Sequence, residues 1–446
     1  MQPLSTQFAD HIRGLCRIYS GALEQSRSAG AILLHSGIDR CYYADDQTIP
    51  FRACPHFAHW LPVNRPDQLL LVVPGERPIW YQIVRPDFWH DQNISVDSWW
   101  GDSFTIQRLP EPDLVAKQRP DWSGVAYIGE DPEFARSLGI EEGLVNPSGL
   151  IHRLNYYRAY KSAWEISQIK QANQLALTGH RAAESCFQSG GSEYEIHTAY
   201  LNACGMLEHD TPYSSIVALD DRAAILHYQH KRRNGSGTGT EQRSVLLIDA
   251  GCRINGYCSD ITRTSTRPHV HPVFRSLVAA VEQLEQALVT EVAPGMSYVA
   301  LHESAIAGIG NILLHHEICR GDLSQLMSKA IAGAFMPHGV GHLIGLQVHD
   351  VGGYQCSPKG DSVPPPENYP ALRNTRIMEE GMVFTVEPGL YFIPMLLDPW
   401  RHSSDHKLFN WRLIDELLSC GGIRVEDNIL VTGTGSDNLT CESIAE

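Results

Sequence analysis

Over the first third of the chain, apolar residues fall into short unbroken runs separated by polar stretches. AILLHS (31–36), LLLVVPG (69–75), PIWYQI (78–83) and VAYIGE (125–130) read as buried strands, and a helical period covers residues 8–28. Near residue 150 the pattern changes to longer helical stretches. Ser162 and Glu165 have capping-box spacing at the start of one, and Ser192 with Glu195 repeats it before HTAYLNACGM. Further helical periods cover 272–291 and 298–316. Between them lie the strand-like runs SVLLIDAG, the return after Asn255-Gly256, MVFTVEPGLYF and GIRVEDNILVT. The expected fold class is α+β: a mixed α/β domain over 1–155, then a catalytic domain of helices and antiparallel hairpins over 156–446. VPPPENYP (363–370) reads as a rigid surface loop.

A length of 446 residues agrees with two domains, and 43% hydrophobic with 19% charged residues is an ordinary globular balance. No apolar run is long enough to cross a bilayer, and MQPLSTQFADHIRGLCRIYSGALEQ lacks the apolar segment of a secretory signal, so a cytoplasmic protein is expected. A net charge of −16 argues against nucleic acid or an anionic membrane as partner and leaves small solutes or cationic partners. Eleven cysteines without a CxxC pair suit buried reduced thiols, with Cys252 and Cys258 as small apolar filler. The Gly-rich segment 230–244 lacks the strand–GxxxxGK[ST]–helix form of a phosphate loop and reads as a flexible connection.

The chemistry gathers in the second half. In DAGCRINGYCSDITRT, Asn255-Gly256 signals a hairpin that sets Asp249 and Asp260 across from one another to within a residue or two. Burying two carboxylates there costs several kcal/mol unless a proton, a basic side chain or a metal compensates. In FMPHGVGHLIGLQVHDVGG, His338, His342 and His349 stand among glycines and apolar residues. Glu387 follows the strand-like MVFTV, and Glu426 sits in GGIRVEDNILV. Each acid alone could be structural. Together, four carboxylates and an imidazole from separated segments call for divalent cations, and this oxygen-rich donor set suits Mn²⁺, Co²⁺ or Zn²⁺. Two ions sharing a water make a hydroxide that attacks a carbonyl or phosphoryl centre, so hydrolysis is the natural use.

DAG with DITRT, PHGVGH, VEPG and GIRVEDN, in that order, resemble the pita-bread metallohydrolases, which include methionine aminopeptidase, Xaa-Pro aminopeptidase and prolidase. DDQTIPFRACPHFAHWLPV, HRLNYYRAYKS, DTPYSSIVAL and AILHY extend the resemblance, over nearly the whole chain, to the bacterial prolidases and the related organophosphorus acid anhydrolases. The resemblance implies a pita-bread catalytic domain holding two divalent ions, Mn²⁺ first, with Asp249, Asp260, His342, Glu387 and Glu426 as ligands. It places His227 and His338 at the substrate carbonyl, Glu387 as proton shuttle, His349 and Arg424 at the substrate carboxylate, and Tyr213 and Leu226 as pocket walls. Asp46 resembles a residue that reaches the neighbouring subunit's site to bind the substrate ammonium, which implies a homodimer built through the N-terminal domain. The segment 397–411 resembles a variable loop, with His402 and His406 solvated.

The implied activity is hydrolysis of Xaa-Pro dipeptides by a dimetal-bridged hydroxide, with organophosphorus triesters as a further substrate class. An Xaa-Pro aminopeptidase, a phosphotriesterase with secondary peptidase activity, and a binding module without catalysis are the alternatives. A site that pairs an acid with the amine and an arginine with the carboxylate favours dipeptides, because a longer peptide leaves buried charges unpaired.

Overall fold

The computed structural model describes residues 3–26, 29–233 and 243–441. Residues 27–28 of the helical period and 234–242 of the Gly-rich segment lie outside the described residues. The chain forms two compact units: one comprises the chain up to Gln168 with Gln355–Ser362, the other Ile169–Tyr354 and the chain from Val363 onward.

In the first unit, helix α1 (Leu4–Ser26) buries Phe8, Ile12, Leu15, Tyr19 and Leu23, three or four residues apart and therefore on one face. The apolar runs form β1 (Ala31–His35), β2 (Leu69–Val72), β3 (Ile79–Ile83) and β5 (Val125–Ile128), joined by β4 (Thr105–Leu109). The sheet order is β4-β3-β2-β1-β5. β1 runs antiparallel to β2 and parallel to β5, and β3 antiparallel to β2 and parallel to β4. β1, β2 and β5 are buried at every position, which is why they read as continuous apolar runs. β4 is a half-exposed edge strand, TIQRL, with too few apolar residues to show the same signal.

Helix α2 (Ala163–Gln188) begins at the expected box: the Glu165 carboxylate accepts from the Ser162 N–H at 2.8 Å and Ser162 Oγ from the Glu165 N–H at 3.4 Å. The second unit adds α3 (Glu193–Cys204) on the Ser192–Glu195 box, then α4 (Pro272–Glu291) and α5 (Tyr298–His315). β6 (Ile216–Leu219), β7 (Val245–Asp249) and β10 (Thr262–Thr266) make an antiparallel sheet with β7 in the middle. Between β7 and β10 the chain forms the tight pair β8 (Arg253–Ile254) and β9 (Tyr257–Cys258) around Asn255 and Gly256, whose φ angles of 48° and 90° are those of a hairpin turn. β11 (Val383–Val386), β14 (Asp427–Val431) and β15 (Ser436–Asn438) form a second sheet, and β12 (Gly389–Tyr391) pairs with β13 (Gly422–Arg424). Backbone bridges from Thr262 to Glu426 and from Leu343 to Phe384 tie these ladders to the histidine segment.

Part of the segment read as a loop over 397–411 is the end of helix α6 (Pro394–Arg401). Pro394 sits in its first turn, where a missing N–H costs nothing, but Pro399 inside the helix is a sequence signal against one.

Candidate active site

The ladder register carries each acid to one place. Asp249 pairs with Thr262 across β7 and β10, so Asp260 sits just before the point of direct opposition. Glu387 follows β11, and Glu426 is the link between β13 and β14. The histidine segment is stitched to β11: the Thr385 N–H donates to the His342 carbonyl (2.9 Å), the His342 N–H to Thr385 Oγ1 (3.0 Å), and the Glu387 N–H to the Val340 carbonyl (2.9 Å). Gly341 is required there, since its φ is 148° and a Cβ would stand 2.2 Å from the Thr385 carbonyl oxygen.

His342 Nδ1–H donates to the Leu343 carbonyl at 3.1 Å, which leaves Nε2 as a lone pair. That lone pair faces Asp260 Oδ2 at 3.4 Å and Glu387 Oε1 at 3.7 Å. Donor atoms of Asp260, His342 and Glu426 all lie within 4.8 Å of one another. Lone pairs set against lone pairs hold together only around a proton or a cation. Arg424 is the basic side chain paired here, donating to Asp249 Oδ2 at 2.6 Å, to the Tyr391 hydroxyl at 2.8 Å and to Thr262 Oγ1 at 3.1 Å. The Tyr213 hydroxyl lies 2.7 Å from Asp249 Oδ1 and 2.5 Å from Asp260 Oδ1, and Thr262 donates to Glu426 at 2.6 Å.

The titration behaviour follows from burial and crowding. Burial pushes Asp249 up to about 6, with Arg424 opposing and Asp260 adding to the rise. Glu387 is pushed up to about 7 by burial and by Asp260 and Asp249 against His342 and Arg424. Burial and the other three acids raise Glu426 well above the carboxylate range. Burial alone would lower His342, but Asp260 and Glu387 outweigh it and raise it. One paired guanidinium against three buried carboxylates and the partly exposed Glu387 leaves excess negative charge, and the donor set of carboxylate oxygens and one imidazole nitrogen fits divalent metal.

These residues line a cavity of about 460 Å³ in the second unit. His227, His338, His349, Tyr213 and Leu226 also face it. His338 donates from Nδ1 to the Gly339 carbonyl at 2.7 Å, and its Nε2 accepts from the Tyr391 hydroxyl at 3.1 Å. Burial, then the charge of Arg424, brings His338 down to about 3, so its ring is neutral at pH 7. His349 packs edge-on against His342 with ring centroids 4.4 Å apart. Asp46 lies in the first unit on an exposed turn closed by the Tyr42 N–H donating to the Gln47 carbonyl at 3.0 Å. His402 and His406 are exposed. The cavity also holds a cation that sequence reasoning passed over: Arg373 lines it, exposed and without an ion pair among the described residues. In ALRNTR nothing distinguishes Arg373 from an ordinary surface arginine; the signal is its position over the cavity.

Residues 167–433 match the family model described as Metallopeptidase family M24, and residues 6–156 match Xaa-Pro dipeptidase, N-terminal domain. The chain belongs to metallopeptidase family M24. M24 relatives named Xaa-Pro dipeptidase, from Escherichia coli O157:H7 and Escherichia fergusonii, are each 39% identical over 99% of this chain and 99% of their own. Among solved structures, zinc-substituted Escherichia coli aminopeptidase P in complex with product superposes with a TM-score of 0.72 at 23% identity, covering 96% of this chain and 95% of that one. Pseudomonas aeruginosa aminopeptidase PepP gives 0.69 at 23% identity over 98% and 95%. These likenesses show the fold, the pita-bread arrangement expected for an M24 catalytic domain after an N-terminal α/β domain. The protein is therefore a hydrolase of the metallopeptidase class. Among the described residues, no helix is long and apolar enough to cross a membrane.

Proposed function

We propose that the protein is an Xaa-Pro dipeptidase that takes two divalent ions, Mn²⁺ by preference with Co²⁺ or Zn²⁺ as substitutes, and releases C-terminal proline. The observation that carries this is the 39% identity with Xaa-Pro dipeptidases over 99% of both chains. The cluster of buried Asp249, Asp260, His342 and Glu426 with the partly exposed Glu387 supports it as the place for the metal. When bound, two such ions supply an activated water and Lewis-acid stabilisation of the oxyanion.

The chain's own residues do the rest. Asp249, Asp260, His342, Glu387 and Glu426 would hold the ions. Glu387, the least buried of the four acids, carries the proton to the departing proline nitrogen. His227, exposed at the cavity, donates to the oxyanion. His338 spends its N–H on Gly339 and accepts from Tyr391, so it acts by holding Tyr391 and Arg424 in place rather than by donating to the carbonyl. His349 and Arg373 receive the substrate carboxylate; Arg424 is committed to Asp249 through its shortest contact and lends only its remaining N–H groups. Tyr213 and Leu226 wall the pocket. Asp46 of a second copy binds the ammonium, which makes the working form a homodimer, and the cytoplasm is its proposed location. Phosphotriester hydrolysis is a second reading, supported by the room of about 460 Å³ and the apolar wall of Ile216, Leu226 and Val348.

Two tests follow from these roles. Chelated enzyme given Mn²⁺ is expected to cleave Ala-Pro but neither Ala-Pro-Ala nor Gly-Leu, as measured by release of free proline or amine. Cleavage of the tripeptide assigns an aminopeptidase, and a faster rate on a phosphotriester such as paraoxon than on Ala-Pro assigns a phosphotriesterase. Arg373→Ala is expected to raise KM for Ala-Pro about tenfold or more while kcat changes little, because a charge-assisted contact to bound substrate is lost. An unchanged KM removes Arg373 from the site.

A further inference from the structure

Behind the cluster of acids, one amide side chain takes the place that a neighbouring strand would fill for Asp260. β10 begins only at Thr262, so Asp260 precedes the ladder that joins β10 to β7. The residues on either side of it face the β7 chain: the Ser259 N–H donates to the Cys252 carbonyl at 2.9 Å, and the Ile261 carbonyl accepts from the Ala250 N–H at 3.0 Å. The N–H and carbonyl of Asp260 therefore face the other way, toward β14. There the Thr262–Glu426 bridge sets an antiparallel register; two residues before Thr262 and two after Glu426, Asp260 and Asn428 come level. The backbone of Asn428 is engaged elsewhere, its N–H donating to Thr440 Oγ1 and its carbonyl accepting from the Leu439 N–H, each at 2.8 Å. Its side chain meets Asp260 instead. Oδ1 accepts from the Asp260 N–H at 3.2 Å, and Nδ2 donates to the Asp260 carbonyl.

The amide is also held the right way round. Asn173, on α2, donates from Nδ2 to Asn428 Oδ1 at 3.4 Å and to the Ile169 carbonyl at 2.9 Å, which makes Oδ1 of Asn428 the accepting end and Nδ2 the donating end. The Thr440 hydroxyl donates in turn to Asn173 Oδ1 at 3.1 Å. Asn173 and Asn428 are 0% exposed and Thr440 1%, so water is kept from these bonds. The same helix holds the preceding residue, since Ser259 Oγ donates to the Ala172 carbonyl at 3.2 Å. We propose that Asn428 is a positioning residue for the metal: by gripping the N–H and the carbonyl of Asp260 it fixes the direction of the Asp260 carboxylate, whose Oδ2 lies 3.4 Å from His342 Nε2. An aspartate at 428 could accept from the Asp260 N–H but not donate to its carbonyl, and it would add a charge to acids already crowded together, so the place requires an amide. The inference rests on the reading of Asp260 as a residue that holds the ions.

The test is titration of the full-length, metal-stripped protein with Mn²⁺, followed by the electron paramagnetic resonance signal of the free ion, which gives the affinity without substrate. Asn428→Ala, folded by circular dichroism, is expected to bind Mn²⁺ about 10- to 100-fold more weakly, the range for a residue that orients a metal-holding group. Val431→Ala truncates a buried side chain on the same strand, so it should lower the melting temperature yet leave the affinity unchanged, which separates positioning from a general loss of stability. If Asn428→Ala does not fold, Asn173→Ala decides: it leaves Asn428 against Asp260, removes the donor that orients the amide, and should weaken Mn²⁺ binding in the same direction. Wild-type affinity in folded Asn428→Ala, or in Asn173→Ala where only that variant folds, overturns the proposal. Asp260→Asn in the same titration tells the two readings apart. If it binds Mn²⁺ like the wild type, the role of Asp260 fails; if it loses Mn²⁺ while Asn428→Ala does not, only the positioning role fails.

Discussion

Asp260→Asn is expected to lower kcat for Ala-Pro by more than about a hundredfold and, in the same preparation, to reduce bound divalent metal measured by elemental analysis. The change keeps shape and removes one charge. Outer-layer partners of a metal site cost about 10- to 100-fold when mutated, so a ligand at the centre should exceed that range. Asp260 is the proposed ligand among these partners: its Oδ2 faces His342 Nε2 at 3.4 Å, its Oδ1 lies 2.5 Å from the Tyr213 hydroxyl, and its backbone N–H donates to Asn428 Oδ1 at 3.2 Å. The last contact is retained in the variant, so its melting temperature should stay close to that of the wild type without metal. Full activity with full metal content would remove Asp260 from the ligand set.

Why was so much of this cluster visible in a one-dimensional string? Each acid ends or interrupts an apolar run, and the run fixes its strand while Asn255-Gly256 fixes the register. Asp249 and Asp260 could therefore be placed against each other from local rules. Bringing Glu387, Glu426 and His342 to the same point needed the bridges Thr262 to Glu426 and Leu343 to Phe384, which join residues far apart in sequence and leave no local trace. The family motifs supplied that link. Arg424 shows the limit of motif reading, since its place beside the site was legible but its strongest partner was not. Its guanidinium meets Asp249 at 2.6 Å, so removing it strips a buried carboxylate of its counter-charge. Arg373 and β4 were missed for the opposite reason: an exposed arginine and a half-polar edge strand look like surface wherever they occur.

In metal-free protein the acids of the cluster should contribute a stability that falls as pH rises from about 4 to about 8, against the opposite contribution of the lowered His302, His338 and His349 below pH 6.5, and saturating Mn²⁺ should abolish most of the acids' contribution. The sign follows from the raised values. Asp249 moves from 3.8 up to about 6 and Glu387 from 4.5 up to about 7, so between the two values of each group the folded state binds more protons than the unfolded. Stability is then lost as pH rises through that window. Glu426, raised further, acts in the same direction. His342, raised from 6.5, adds stability below that value and loses it as pH passes its folded one, which again points the same way. Arg424 offsets part of the repulsion without changing the slope's sign. Calorimetry of chelated protein with and without Mn²⁺ at pH 5.5 and at pH 8 separates the acids' contribution, since the lowered histidines are common to both samples. Adding Mn²⁺ should raise the pH 8 transition more than the pH 5.5 one, because at the lower pH protons compete for the same oxygens. If Mn²⁺ raises both transitions alike, the four acids are not the crowded, unmatched set that their spacing describes, and another cation already balances them.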